Sequence, residues 1–251
     1  MARYFIELCY HGKTFSGFQI QQNAITVQGE LERVMAIYYR QPIALTGSSR
    51  TDAGVHALQN FFHFDTDVVV SQKDIYHLNA ILGNAISIKQ LYIVPNEMHS
   101  RFDALNREYK YYITTKKDPF LNDRAWFYPY ALNMDILKQA ASIVLGAHDF
   151  TAFAKRNTQV FTHICTVEYS NWEMVDHTLV YTVKANRFLR GMVRALVATM
   201  LKTARQNMDI QQFKSLLEVK ENALADFSAP AHGLFLCAIT YNTNNLIEIT
   251  A

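Results

Sequence analysis

The spacing of apolar and polar residues changes several times along the chain, and each change marks an element. Tyr4-Phe5-Ile6-Glu7-Leu8-Cys9-Tyr10 is a short, nearly continuous apolar run, the pattern of a buried strand. Val27 to Tyr39 carries Leu31, Val34, Met35 and Tyr38 at helical intervals. Ile43 to Thr46 reads as a short strand entering a Gly-Ser turn, and Leu58 to Phe64 as a strand with Phe62 and Phe64 on one face. Ser71-Gln72-Lys73-Asp74 resembles a capping box opening a helix over 75–82, which Gly83 ends; a strand follows over 86–94. Arg107 to Thr115 alternates, placing Tyr109, Tyr111 and Ile113 on one face and Glu108, Lys110 and Tyr112 on the other. Asn133 leads an amphipathic helix over 134–145. Strands over 161–174 and 178–185 form a hairpin near Asp176-His177, and the longest helical stretch covers 188–205. Leu234 to Tyr241 is a closing strand.

This order lacks the regular strand–helix alternation of a doubly wound parallel sheet. The expected class is α+β: two similar α/β halves sharing a mixed, mainly antiparallel sheet with a central cleft. The expected halves are 1–104 and 105–251. The chain has 251 residues, enough for one large domain or two small ones sharing a sheet. Fourteen Tyr and sixteen Phe favour strands over an all-helical bundle. A net charge of +2 neither requires nucleic acid nor excludes it, because binding depends on where the cations sit. Cys9, Cys165 and Cys237 are odd in number and form no Cys-x-x-Cys, which argues against a disulfide framework and a structural zinc. Cys9 and Cys237 lie in apolar runs and are expected to be buried. No run is apolar enough over sufficient length to cross a bilayer and no signal peptide is evident, so a cytoplasmic setting and no membrane partner are expected.

The densest concentration of chemistry is Gly47-Ser48-Ser49-Arg50-Thr51-Asp52-Ala53-Gly54-Val55-His56-Ala57. A carboxylate, a guanidinium, hydroxyls and an imidazole share one strand-to-strand connection, where a scaffold commonly presents catalytic groups. From spacing alone the segment also reads as a decorated turn, with Asp52 capping a helix or pairing with Arg50. It is neither a Gly-x-Ser-x-Gly elbow nor a phosphate-binding Gly-x-x-x-x-Gly-Lys loop.

The run Arg50-Thr51-Asp52-Ala53-Gly54-Val55-His56 closely resembles the signature of the tRNA pseudouridine synthase A (TruA) family, whose catalytic aspartate it matches with Asp52. Four further segments agree in order. Tyr10-His11-Gly12 with Gly17-Phe18-Gln19 and Gln21-Gln22 is similar to the family's N-terminal motif. His99-Ser100-Arg101-Phe102-Asp103-Ala104 with Arg107 and Tyr109 resembles its His-x-Arg-Phe-x-Ala … Arg-x-Tyr. Phe188-Leu189-Arg190-Gly191-Met192-Val193-Arg194 matches its Phe-Leu-x-x-Met-Val-Arg helix, and Ala229-Pro230-Ala231-His232-Gly233-Leu234 its Ala-Pro-Ala-x-Gly-Leu close.

The resemblance implies isomerisation of uridine to pseudouridine in the tRNA anticodon stem-loop, at tRNA positions 38, 39 and 40, with no cofactor and no metal. It implies Asp52 as nucleophile or base and Arg194 as the cation that keeps it ionised. Tyr109 would stack on the uracil, Leu234 would wall the base, and Arg50 would contact the RNA backbone around a flipped nucleotide. His56 is read as structural. A homodimer is implied, with one tRNA reaching across both subunits. Arg101, Arg107, Lys110, Lys155, Arg156, Arg187 and Arg190, interleaved with aromatics, offer a track for phosphates and bases. The sequence departs from the family at Ser49, where glycine is usual, and at His11 and Phe18, which replace Asp and Trp. A left-handed backbone at Ser49 would cost roughly 1 kcal/mol. These departures leave two alternatives open: a synthase acting at another RNA position, or a non-catalytic RNA-binding paralogue.

Overall fold

The computed structural model describes residues 1–155, 160–218 and 225–250. The chain divides into two compact units, Met1–Leu105 with Leu236–Ala251, and Asn106–Phe235. Its class is mixed α+β with extensive, mostly antiparallel sheet.

In the first unit, β1 (Ala2–Tyr10) lies between β3 (His56–Thr66) and β4 (Ile86–Val94), antiparallel to both. The short β11 (Ile247–Glu248) extends the β4 edge, and β2 (Thr46–Gly47) pairs with β3 at the stem of the Asp52 loop. The strand β10 (Leu234–Thr240), which belongs to this unit from Leu236 onward, adjoins β3. Phe5, Ile6, Leu8, Phe62 and Phe64 are almost fully buried, and each stabilises the unit by about 1.5–3 kcal/mol.

Helix α1 (Val27–Tyr39) has the expected bounds for local reasons. The Thr26 hydroxyl accepts from the Gly29 N–H at its start, and Arg40 turns left-handed (φ 56°) at its end. Its buried face is Val27, Leu31, Val34 and Met35. The strand expected over Ile43–Thr46 is reduced to Thr46–Gly47, and α1 is the cause. Leu45 N–H donates to Glu32 Oε1 (3.0 Å) and its carbonyl accepts from Gln28 Nε2 (2.9 Å), so helix side chains take the groups a sheet would need. Helix α2 (Lys73–Ile81) begins two residues earlier than expected, with Gln72 at its N-cap position. Ser71 still bonds Asp74, through both N–H (3.0 Å) and hydroxyl (2.9 Å), and Tyr38 and Tyr39 hydroxyls complete four donors to that carboxylate. Burial alone would push the Asp74 pKa up; the donors outweigh it and hold it below the ordinary value.

In the second unit, β5 (Asn106–Thr114), β9 (Thr178–Ala185), β8 (Ile164–Val175) and β7 (Gly146–Asp149) form successive antiparallel pairs, and β6 (Trp126–Phe127) runs parallel to β5. The alternation read in β5 is the observed one, with Tyr109, Tyr111 and Ile113 buried. The β8–β9 hairpin turns at Asp176 (φ 45°) and His177 (φ 67°), the doubly left-handed geometry that suits a two-residue connection between twisted strands. Helix α3 (Met134–Ile143) starts where Asn133 accepts from the Asp135 and Ile136 N–H groups. The helix expected over 188–205 is α4 (Met192–Ala204). Gly191 at φ 76° is its N-cap and cannot continue a right-handed helix backwards. The sequence reading missed β6, β7, β11 and α5 (Ile210–Ser215), although the Asp209 and Gln212 capping box of α5 was a legible signal. Of the cysteines, Cys165 is the buried one; Cys9 and Cys237 are half-buried rather than buried. Among the described residues no helix is long and apolar enough to cross a membrane.

Candidate active site

Asp52 lies half-buried in the turn that enters β3. The turn closes with Val55 N–H donating to the Asp52 carbonyl (3.2 Å), and Gly54 supplies the left-handed residue (φ 81°). The next element is a strand, so Asp52 caps no helix. Arg50 is exposed, and among the described residues its guanidinium makes no hydrogen bond or ion pair. An Asp52–Arg50 pair is therefore not formed.

The turn is held from beneath by a buried polar network. Asn60, fully buried in β3, donates to the Ser49 carbonyl (2.8 Å) and the Tyr10 hydroxyl (3.2 Å). Its carbonyl oxygen accepts from the N–H groups of Ser49 (3.4 Å) and Phe61 (2.9 Å), so both ends of the amide are satisfied. The Tyr10 hydroxyl lies 2.8 Å from Thr51 Oγ1, beside Asp52. Burial pushes the Tyr10 pKa up to about 12, against the opposing bonds from Thr51 and Asn60, so Tyr10 is neutral at physiological pH. Further back along the loop, the Tyr241 hydroxyl lies 2.9 Å from Ser48 Oγ and 2.5 Å from the Ser100 carbonyl oxygen. A hydroxyl has one hydrogen, so Tyr241 donates to the carbonyl and accepts from Ser48.

Three glycines help build this turn, two by leaving room for a neighbour and one by its backbone conformation. A Cβ at Gly12 would lie 2.0 Å from the Val55 carbonyl oxygen, and one at Gly47 would lie 2.1 Å from the Phe18 ring. Gly17 is left-handed (φ 105°) and positions Phe18 N–H to donate to the Thr51 carbonyl (3.1 Å). The N-terminal motif is thus a cradle for the Asp52 turn. Phe18 is buried and stacks on Phe62 (4.6 Å between centroids, 9° between planes), so this departure from the family is a packing position. Ser49 is absent from the residues with positive φ, and the strain considered for it does not arise. His56 is structural as read: buried, with Nδ1 accepting from Gly12 N–H (3.0 Å) and its ring 4.4 Å from that of His11.

The second unit gathers the other expected groups. Arg194 sits in the first turn of α4 and donates through Nε to the Ala229 carbonyl (2.7 Å). Tyr111, missed as a site-building residue, donates its hydroxyl to the neighbouring Pro230 carbonyl (2.8 Å). The Tyr111 ring occupies the space a Cβ at Gly233 would need, with atoms 2.7–2.9 Å from it. The Ala-Pro-Ala-His-Gly-Leu segment is thereby clasped by Arg194 and Tyr111, and it leads directly into the buried Leu234. Tyr109, two residues before Tyr111 on the same face of β5, is buried and meets Phe188 edge-on (5.1 Å, 85°). Burial drives the Tyr111 pKa far up, with the nearby Arg194 charge a smaller opposing influence.

The expected basic track is thinner than the sequence suggested. Arg107 is buried and donates to the Asn186 carbonyl (2.9 Å), a structural tie within the unit. Lys155 packs its methylenes against Gly191, while Arg101 and Arg190 are exposed and Lys110 and Arg187 half-buried. Arg156 lies outside the described residues.

A family model described as tRNA pseudouridine synthase matches residues 140–242. The chain is 41% identical to the tRNA pseudouridine synthase A of Parabacteroides distasonis, over 96% of each chain. It is 38% identical to that of Bacteroides thetaiotaomicron, covering 100% of this chain and 94% of the relative. It is 35% identical to that of Staphylococcus aureus strain MRSA252, over 98% of this chain and 94% of the relative.

Proposed function

Since the chain belongs to the tRNA pseudouridine synthase A family, we propose that it isomerises uridine to pseudouridine in the anticodon stem-loop of tRNA, at tRNA positions 38, 39 and 40. The reaction breaks the bond between uracil N1 and ribose C1′, turns the base, and joins C5 to C1′. C5 loses its proton and N1 gains one, so no net oxidant, reductant or group donor enters. Asp52 acts as an ionised carboxylate on the ribose, either attacking C1′ or taking the proton from the adjoining carbon. Arg194 supplies the positive charge that keeps that carboxylate deprotonated in a dry site. Tyr109 stacks on the uracil and takes part in proton transfer, Leu234 forms an apolar wall, and Arg50 contacts the RNA backbone while the nucleotide is out of its stack.

Two observations support these roles besides the motifs. Arg194 stands in the first turn of a helix with no acidic residue there, where a cation opposes the helix dipole by a few tenths of a kcal/mol. A position that costs helix stability is better accounted for by what the guanidinium does. Asp52 is the acidic group of a turn whose backbone a buried network fixes, which is how a scaffold presents a reacting group at low reorganisation cost. The reading keeps the two halves, 1–104 and 105–251, expected from the order of elements, a cytoplasmic setting, and the homodimer implied by the resemblance, whose second subunit enlarges the basic surface.

The observation that carries the proposal is Asp52 within its full signature in a chain 41% identical to a tRNA pseudouridine synthase A. Tritium release from tRNA labelled at uracil C5 tests it. Wild type should release label, and Asp52→Ala should release none while binding tRNA within about threefold of wild type. Ordinary release by the Ala variant would end the proposal.

A further inference from the structure

The second unit holds a cavity of about 310 Å³ that the proposed chemistry does not use. Its walls include Trp126, Tyr128, Lys202, Arg205, Asp226 and Ser228. This volume is at the lower end of the roughly 300–1,000 Å³ typical of small-molecule sites. Trp126 and Tyr128 form an aromatic side, 4.7 Å apart and edge-on, and Tyr130, outside the lining, meets Tyr128 edge-on at 5.0 Å. The Arg205 guanidinium lies 3.8 Å from the Tyr130 ring centroid and donates through Nη1 to the Tyr128 hydroxyl (3.4 Å). A stacked guanidinium is held flat with its remaining N–H groups along the edge, ready for a planar or tetrahedral anion.

Lys202 stands three residues earlier on α4, on the same face of the helix. Among the described residues, neither Lys202 nor Arg205 has a carboxylate partner. Both cations also suit the C-terminal end of α4, where they complement the helix dipole. That accounts for their sign but not for the cavity between them or for the aromatic wall beside it. The lining carries two cations against one carboxylate, Asp226, which accepts from Ser228 N–H (2.7 Å), so its formal charge is positive.

We propose that this cavity is a second binding site, distinct from the Asp52 chemistry, that takes the base and phosphate of a nucleotide: the phosphate on Lys202 and Arg205, the base against Trp126 and Tyr128. The ligand is a nucleotide of bound RNA away from the target uridine or a free nucleoside monophosphate; the RNA source rests on the function proposed above. Aromatic faces with adjacent cations bind nucleotides with little regard to sequence, which suits an enzyme meeting many tRNAs.

The chain has two tryptophans, and Trp172 is fully buried, so quenching by ligand reports on Trp126. Uridine 5′-monophosphate should quench the full-length protein saturably, and uridine without phosphate at least tenfold more weakly. The double variant Lys202→Ala, Arg205→Ala should lose about tenfold in nucleotide affinity; if it melts early, Lys202→Gln alone, at a half-exposed side chain, should lose about threefold. A KM for tRNA raised three- to tenfold in the variant with kcat unchanged assigns the site to RNA. An unchanged KM alongside weakened nucleotide binding assigns it to a free nucleotide. Equal quenching by uridine and its monophosphate, or quenching indifferent to the cation variants, overturns the proposal. Absence of tritium release by wild type would instead strike the function proposed above and leave the quenching result standing.

Discussion

The two units hold their chemical groups by different physical means. In the first, Asp52 sits on a turn whose shape comes from buried side-chain hydrogen bonds: Asn60 to the Ser49 backbone, the Tyr10 hydroxyl to that of Thr51, and the Tyr241 hydroxyl to that of Ser48. In the second, Arg194 and Tyr109 sit on a helix and a strand, elements with backbone hydrogen-bond ladders of their own, and the clasp on residues 229–233 is two bonds and a ring contact. A turn has no hydrogen-bond ladder of its own, so its geometry must be supplied by buried polar groups, each costly to leave unpaired. Regular elements need only packing to fix where their side chains emerge. The first unit should therefore fail through lost hydrogen bonds, and the second through more modest losses of packing and single bonds.

The largest test of this contrast is Asn60→Leu, close in volume but with no polar atoms. It strands the Ser49 N–H and carbonyl and one bond of Tyr10 in a buried setting, at a cost on the order of 3–5 kcal/mol. Urea unfolding should show the loss, with tritium release falling more than tenfold; a loss under 1 kcal/mol would contradict the role given to the network. Tyr111→Phe is the counterpart in the second unit. It keeps the ring against Gly233 and removes only the bond to Pro230, so about 1–2 kcal/mol is expected, with activity reduced severalfold. Equal losses from the two variants would erase the contrast.

A pH titration sharpens it further. The His63 ring accepts from Ser100 N–H at Nδ1 (3.2 Å), opposite Thr46 at the loop's stem. Burial, and then the neighbouring His99 and Arg3 charges, lower its pKa to about 4 from 6.5. The folded state thus prefers the neutral ring. Its contribution to stability is full above pH 6.5 and is lost as pH falls through about 4. Melting curves between pH 7.5 and 4 should fall less steeply for His63→Asn than for wild type; parallel curves would remove His63 from the account. The smallest effect belongs to Ser49→Gly, which restores the family residue. Because Ser49 has no positive φ, glycine there relieves no strain and should cost up to about 1 kcal/mol through added freedom in the unfolded chain. A gain in stability would show the opposite.

Much of this was legible in the chain because it is local. The bounds of α1 followed from its apolar spacing, the β8–β9 hairpin from the strand runs around Asp176-His177, and the start of α3 from Asn133. The late start of α4 was half legible: Gly191 could be read, but its left-handed conformation is coupled to Lys155, whose methylenes occupy the space of the missing Cβ. Arg107 is counted in the expected RNA track although the alternation of β5 puts it on the buried face with Tyr109, Tyr111 and Ile113; its partner, the Asn186 carbonyl, is far along the chain and could not be read. Asn60 gave little signal, because β3 also carries Gln59, His63 and Asp65 and nothing local marks which of its polar residues is buried.

The sequence by itself determined the class of the fold, most helix and strand positions, and, through its motifs, the family and the carboxylate at position 52. Periodicity and capping act over a few residues, and a motif needs no coordinates to be read. Tertiary structure alone decided that residues 236–251 return to the first unit, that Gly12 must be small because Val55 passes over it, and that Tyr111 closes on Gly233. Those facts depend on segments tens to hundreds of residues apart occupying the same few ångströms, and only the packed chain specifies which of them meet.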